Sequence, residues 1–453
     1  MGSRIGRRGL VMKRMLTALA VFALIAGACT AGGEDEESPP PTVNPSVSQE
    51  PVTIEIWGAW TGRELKQFNQ IFDDFTAEYP WITVNSVGGV GDQKIIQAIN
   101  SGTPPDAVLS FGLDNVGKFC ESGAWQDLTP FIEQSGFDTS QFPESIAQYT
   151  SYVGSRCAFP FLTDAYGLYY NVDLFEEAGL DGPPTTTSEL VDYAKELTVF
   201  NADGSIERAG FVPWQGYYET NALTLSVPFG CPWYNEDGTE SAFTDPCWID
   251  LMNWQKELVD FYGQEELQEF IAGQGNEWTA ENDFQTGRVA MNLDGEWRTA
   301  FIADGAPDLN YMTAPLPVPD DQAAEYGRGQ VGGTIIGIPR GSAHPAEAWL
   351  LVSWMATDTD TLVYMANIVR NVPTTFAALE SPNLDVTPQF QTFLDMFANP
   401  ASHYKPTTAI GDGDQAAIGA VLEDWQVGKV DDPQAALEQA AEEVNNLLAE
   451  AQI

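Results

Sequence analysis

The feature that most restricts the fold is a repeated change of hydrophobic period early in the chain. Val52-Thr-Ile-Glu-Ile-Trp57 alternates apolar and polar residues as a half-buried strand does. Leu65, Phe68, Ile71, Phe72 and Phe75 then recur at helical spacing behind Thr61-Gly-Arg-Glu64, which reads as a capping box. A break at Tyr79-Pro80 precedes a second strand, Trp81-Ile-Thr-Val84. A helical run around Ile95, Ile96 and Ile99 leads through Pro104-Pro-Asp106 into the apolar strand Ala107-Val-Leu109. Strand, helix, strand, helix, strand is the pattern of a parallel α/β sheet. Ligands of such sheets meet the loops at the carboxyl ends of strands, here Trp57 to Gly62 and Ser110 to Asp114.

Further on, Tyr169-Tyr-Asn171 reads as the end of a crossing strand, and Asp173 to Gly179 as a short helix stopped by glycine. Thr186 to Leu197 carries Leu190, Tyr193, Ala194 and Leu197 on one helical face. Val289-Ala-Met-Asn292 and Gly332 to Gly337 read as strands. Asp432-Pro433 opens a final helix that uses Ala436, Leu437, Ala440, Val444 and Leu447.

Ahead of the first strand stands an address. Arg4, Arg7, Arg8, Lys13 and Arg14 precede the apolar run Leu16 to Ile25, and Ala26-Gly-Ala28 leads to Cys29. The run is too short to span a membrane and reads as an export signal over residues 1–28. Arg7-Arg8 with Lys13 loosely suggests twin-arginine export. Small residues directly before Cys29 resemble a bacterial lipobox, which implies a lipid on that thiol. Residues 29–51 are rich in Gly, Ser, Pro and acid, with almost nothing to bury, and are expected to form a flexible linker. No later segment reaches roughly 18 uncharged apolar residues, so no membrane-spanning helix is expected.

The remaining roughly 400 residues exceed one typical domain, and two lobes are expected. Formal net charge is −45 and becomes −50 without the five leader cations. Nucleic acids and anionic lipid surfaces need Lys/Arg-rich faces and are excluded as partners. If Cys29 carries lipid, Cys120, Cys157, Cys231 and Cys247 remain, an even number that suggests two disulfides among three possible pairings. With no CxxC and only two histidines, neither a zinc site nor another cofactor is expected.

Several segments in order resemble the bacterial extracellular solute-binding proteins of carbohydrate ABC importers. They are Ile56-Trp-Gly-Ala-Trp60, Gly102-Thr-Pro-Pro-Asp106, Pro160-Phe-Leu-Thr-Asp164 with Gly167 to Leu180, and Pro183 to Leu190. Later come Phe284-Gln-Thr-Gly-Arg-Val-Ala-Met291 with Gly295-Glu-Trp297, Pro315-Leu-Pro317, Gly332-Gly-Thr334 and Pro345-Ala-Glu-Ala-Trp349. The resemblance implies a periplasmic-binding-protein-like α/β fold. Each of its two lobes would be a mostly parallel sheet flanked by helices, with the ligand cleft between the lobes. The first lobe would comprise 52–165 and 285–337, the second 166–284 and 338–453. Pairing Cys120 with Cys157 and Cys231 with Cys247 keeps each bridge within one lobe. The implied product is a monomer held by its lipid at the outer face of the membrane, or in the periplasm. It captures a mono- or oligosaccharide by hinge closure and hands it to an ABC permease.

Sugars present hydroxyls around a ring with apolar C–H faces, so their sites combine flat aromatics with planar polar groups. Position selects the candidates. Trp60 and Glu64 follow the first strand, Glu64 with capping as its rival role, and Ser110 and Phe111 follow the third. Trp214 and Tyr217 lie in the glycine-broken Pro213-Trp-Gln-Gly-Tyr-Tyr218, and Trp278 follows another glycine-rich stretch. The resemblance points to Asp164, beside Tyr166, for hydroxyl bonding and to Trp297 for stacking, with Glu296 as its neighbour. Gly333 and Thr334 offer backbone groups where glycine allows close approach, and Arg370 offers a cation.

A secreted glycosidase would need two carboxylates at a defined separation. No segment frames such a pair, and GxSxG, HExxH and GxxxxGK[ST] do not occur. No enzymatic activity is expected. A binder of polyamines or peptides shares the two-lobed architecture and stands as the alternative.

Overall fold

Alternation in the first segment becomes burial: Ile54 and Ile56 point into a core while Thr53 faces solvent. The computed structural model describes residues 48–451, so the leader, Cys29 and most of the 29–51 linker lie outside the described residues. Ten strands follow in chain order: β1 Val52–Trp57, β2 Ile82–Val87, β3 Ala107–Ser110, β4 Phe159–Asn171, β5 Val199–Phe200, β6 Ile206–Arg208, β7 Met291–Gly295, β8 Tyr311–Ala314, β9 Val331–Gly337 and β10 Val372–Pro373. β5 and β6 form a separate small ladder, and the other eight make one continuous sheet.

β4 organises that sheet. Along its first half it pairs with β9 and β10, and along its second half with β7 and β8. Its side chains change core midway. Phe159, Phe161 and Leu162 belong to one apolar cluster, Ala165, Leu168 and Tyr169 to another. The chain is therefore two-lobed α/β, with this strand crossing between the lobes. Asp164 sits at the changeover, within the strand.

Two expectations are corrected. Among the ten strands, parallel ladders join only β2-β1-β3, while every ladder made by β4 and β9 is antiparallel. The lobe boundaries also differ. Residues 289–316 pack in the second cluster because β7 and β8 pair with the far half of β4. Helices Pro345–Thr357 and Thr359–Val369 bury Leu351, Val352, Met355 and Leu362 in the first cluster, with β1, β3 and β9.

Local signals otherwise read through. A complete capping box, Thr186 with Glu189, starts helix Thr187–Leu197. Asp106 ties the first lobe together, accepting N–H bonds from Glu55 (3.0 Å) and His344 (3.1 Å). One disulfide joins Cys120 to Cys157 beside the first core, and the other joins Cys231 to Cys247 in the second. Among the described residues no helix is long and apolar enough to cross a membrane.

Candidate functional site

Where β4 changes core, the strand ends of both lobes enclose a cavity of about 200 Å³. Its wall holds Trp60, Glu64, Phe111, Asp164, Tyr166, Glu219, Trp278, Trp297, Thr334 and Asn371. Eight of the residues expected from sequence meet there: Trp60, Glu64, Phe111, Asp164, Tyr166, Trp278, Trp297 and Thr334.

The aromatic side is built from both lobes. Trp60, in the loop after β1, is fixed by Phe68 (ring centroids 5.0 Å), Phe111 (5.8 Å) and Phe161 (6.0 Å). Trp297 follows β7 and meets Tyr166 edge-on at 5.5 Å and 88°. A side chain at Gly295 would strike the Trp297 ring within 2.5 Å, so glycine is what lets that ring lie back against the strand. Trp297 is only 8 % exposed, and its indole N–H is buried without a partner. Trp278 and Phe111 are about half exposed, at 50 % and 47 %, and stand at the rim.

The polar side is carboxyl-rich. Asn371, immediately ahead of β10, donates from Nδ2 to Asp164 Oδ1 at 2.5 Å and to Glu296 Oε1 at 2.9 Å. Glu296 is fully buried behind the wall and also accepts the Ala165 N–H at 2.9 Å. It therefore positions Asn371 and Asp164 instead of lining the cavity. Burial pushes the Asp164 carboxyl up to about 6 and holds Glu296 well above the usual carboxylate range, where repulsion from Asp164 adds to the effect.

Glu64 resolves its two roles. Thr61 makes no side-chain cap, so the expected capping box is absent and the Glu64 carboxyl belongs to the cavity wall. Burial raises it to about 7; Arg63 and Arg298 pull it down while Asp164 pushes it further up. Glu219 is held well above its ordinary range by burial, then by the charges of Glu277, Asp294 and Asp164.

Five expected residues lie elsewhere, besides Glu296. Ser110 is buried with its hydroxyl donating to Asp92 (2.9 Å). Tyr217 turns into the second core, where its hydroxyl donates to Asp283 at 2.6 Å, and Trp214 packs against that same core. Gly333 faces the Leu162 and Thr163 backbone at φ +152°, so its lack of a side chain serves close strand approach. Arg370 caps the helix Thr359–Val369 in the left-handed region and pairs with the largely exposed Asp385 at 2.6 Å. Glu219 and Asn371 are the wall residues that sequence reasoning missed. Both lie in irregular backbone beside residues that were singled out. Among the described residues no group of three or more His, Cys, Asp or Glu is placed to hold a metal ion.

Comparison with known proteins shows the family and the fold. The profile of the family described as bacterial extracellular solute-binding protein matches residues 59–362. The maltotriose-binding protein of Pyrococcus abyssi (strain GE5 / Orsay) is 24 % identical over 384 residues, 82 % of this chain and 78 % of that one. The sn-glycerol-3-phosphate-binding periplasmic protein of Escherichia coli (strain K12) is 30 % identical over 207 residues, 43 % of this chain and 46 % of that one. Among solved structures, CpMnBP1 with mannotriose bound superposes with a TM-score of 0.79 at 26 % identity, covering 86 % of this chain and 99 % of that one.

Proposed function

Because the chain belongs to the bacterial extracellular solute-binding proteins, we propose that it captures a mono- or short oligosaccharide in the cavity at the β4 changeover and delivers it, unchanged, to an ABC permease. The observation that carries this reading is the wall itself. Aromatic rings from both lobes, Trp60 and Trp297 foremost, share it with Asp164, Asn371 and Thr334. Rings stack on the C–H faces of a pyranose, while a carboxylate and an amide take paired hydroxyls. The sugars named for the Pyrococcus relative and for CpMnBP1 support the same choice.

The mechanism is closure. A sugar held by one lobe gains contacts with the other only when the lobes meet, so it binds the closed form better and shifts the population toward it. A cavity of about 200 Å³ is below the roughly 300–1,000 Å³ of sites for drug-sized ligands, which favours a short saccharide. The closed shape then docks on the permease, and a lipid on Cys29 would keep the protein at the outer membrane face. A thermal-shift screen of the purified protein against mono- to trisaccharides, spermidine and short peptides tests the reading. A saturable rise with one sugar class, and that sugar recovered intact, is expected. A rise with peptides or spermidine alone, or recovery of cleaved sugar, contradicts it.

A further inference from the structure

The cavity has more acid than a neutral sugar needs. Its wall carries three carboxyls, Glu64, Asp164 and Glu219, and neither lysine nor arginine. Glu296, Glu277 and Asp294 stand behind them. Charges in this set act on one another: Asp164 raises Glu64, Glu219 and Glu296, and Glu277 and Asp294 raise Glu219.

The nearby cations stand outside the wall and pair with other carboxylates, although Arg63 Nη1 and Arg298 Nη2 are buried without a hydrogen-bond partner. Arg298 is fully buried, with Nε 2.6 Å from Asp294 and Nη1 donating to the Glu277 carbonyl at 2.6 Å. Arg63 pairs with Asp304 at 2.5 Å and donates to the Ile368 carbonyl at 2.8 Å. Burying an unpaired carboxylate is costly unless a proton or a cation neutralises it. Burial accordingly favours the protonated forms, raising Glu64 to about 7 and Asp164 to about 6.

Around these acids stand five rings, Trp60, Phe111, Tyr166, Trp278 and Trp297. Faces of such rings attract cations as well as C–H groups. The Trp297 indole N–H, buried in this wall without a partner, is a donor that a saccharide hydroxyl can satisfy. A metal ion is a poor fit, since no ligand set of three or more is in place among the described residues.

We propose that the ligand is a saccharide carrying a protonated amine, its ammonium received by Glu219 with Asp164 and Glu64 and its ring stacked on Trp297. This deepens the saccharide reading and rests on it. The ammonium supplies the positive charge that the wall lacks, and it displaces protons from the carboxyls as it binds. Affinity for the amine therefore rises as pH climbs through about 6 to 7, where Asp164 and Glu64 ionise. A neutral sugar has no such gain.

The test is isothermal titration of the purified protein with matched pairs differing only by amine against hydroxyl. Glucosamine with glucose, mannosamine with mannose, and the glucosamine β-1,4-disaccharide with cellobiose serve, and spermidine is run beside them. The amine form of at least one pair is expected to bind at least about tenfold more tightly near pH 7. That advantage should shrink severalfold near pH 5 and vanish in Glu219→Gln, whose melting temperature reports that it is folded. Equal or tighter binding of the hydroxyl forms overturns the amine proposal and leaves the saccharide reading standing. Binding of spermidine with no saccharide, or of no ligand at all, overturns both.

Discussion

Two clusters of buried acid lie where the lobes meet, and they differ in where the counter-charge stands. In the first, Lys405 reaches across from the second-lobe side with Nζ 2.6 Å and 2.7 Å from the two Asp414 oxygens and 3.5 Å from Asp114. The Tyr234 hydroxyl donates to Asp414 as well, and Lys405 lies 5.1 Å over the Trp233 ring. In the second, at the cavity, Glu64, Asp164 and Glu219 have no cation in the wall. Desolvation acts on both. The first cluster is complete and holds the lobes together, whereas the second is incomplete and takes its missing charge and hydrogen bonds from outside. Buried acid alone therefore does not mark a binding site; acid left without its partner does.

Breaking the complete cluster has the largest expected effect. Lys405→Met strands Asp414 and Asp114 in the interior and should cost about 3–5 kcal/mol of unfolding free energy in urea titrations. A loss below about 1 kcal/mol would remove the distinction between the clusters. Next comes Trp297→Ala, which takes away a ring that Gly295 leaves room for. Saccharide affinity should fall at least about tenfold, roughly 1.4 kcal/mol, by titration calorimetry.

The incomplete cluster also has a pH signature in the ligand-free protein. Glu64, whose carboxyl rises to about 7 on folding, stays protonated in the native state while the unfolded chain has already released its proton. Its contribution is thus fully present below about pH 4.5 and lost as pH rises through about 7. Stability should decline across that window. Glu64→Gln should flatten the decline by on the order of 1 kcal/mol, allowing for solvent at this partly open carboxyl, as read from melting temperature against pH. A slope unchanged by the substitution would mean that Glu64 is not desolvated by closure. The smallest effect belongs to Arg370→Gln, because its partner Asp385 is largely exposed: within about 0.5 kcal/mol in stability and about twofold in saccharide affinity.

Much of the frame was legible because it is periodic. The β1 alternation, the apolar β3 and the Thr187–Leu197 helix each follow from local rules that tertiary contacts did not override. The site was legible where ring or carboxyl chemistry fell at a strand end, as at Trp60, Asp164 and Trp297. It was illegible where side-chain direction decided. Tyr217 and Glu219 lie two residues apart in the same irregular segment, yet Tyr217 points to Asp283 in the core and Glu219 to the cavity. Asn371 was hidden beside the more conspicuous Arg370. The lobe boundaries were hidden as well, since β7 and β8 find their partners on β4 more than 120 residues away by antiparallel pairing, which leaves no local signature.

The most direct test is titration of purified wild-type and Trp297→Ala protein with the saccharide that raises the melting temperature most, followed by chemical analysis of the recovered ligand. Saturable binding to the wild type, at least about tenfold weaker binding to the variant, and ligand returned intact are expected. Undiminished binding to Trp297→Ala would place the site elsewhere. Cleaved ligand would contradict capture and delivery as the function.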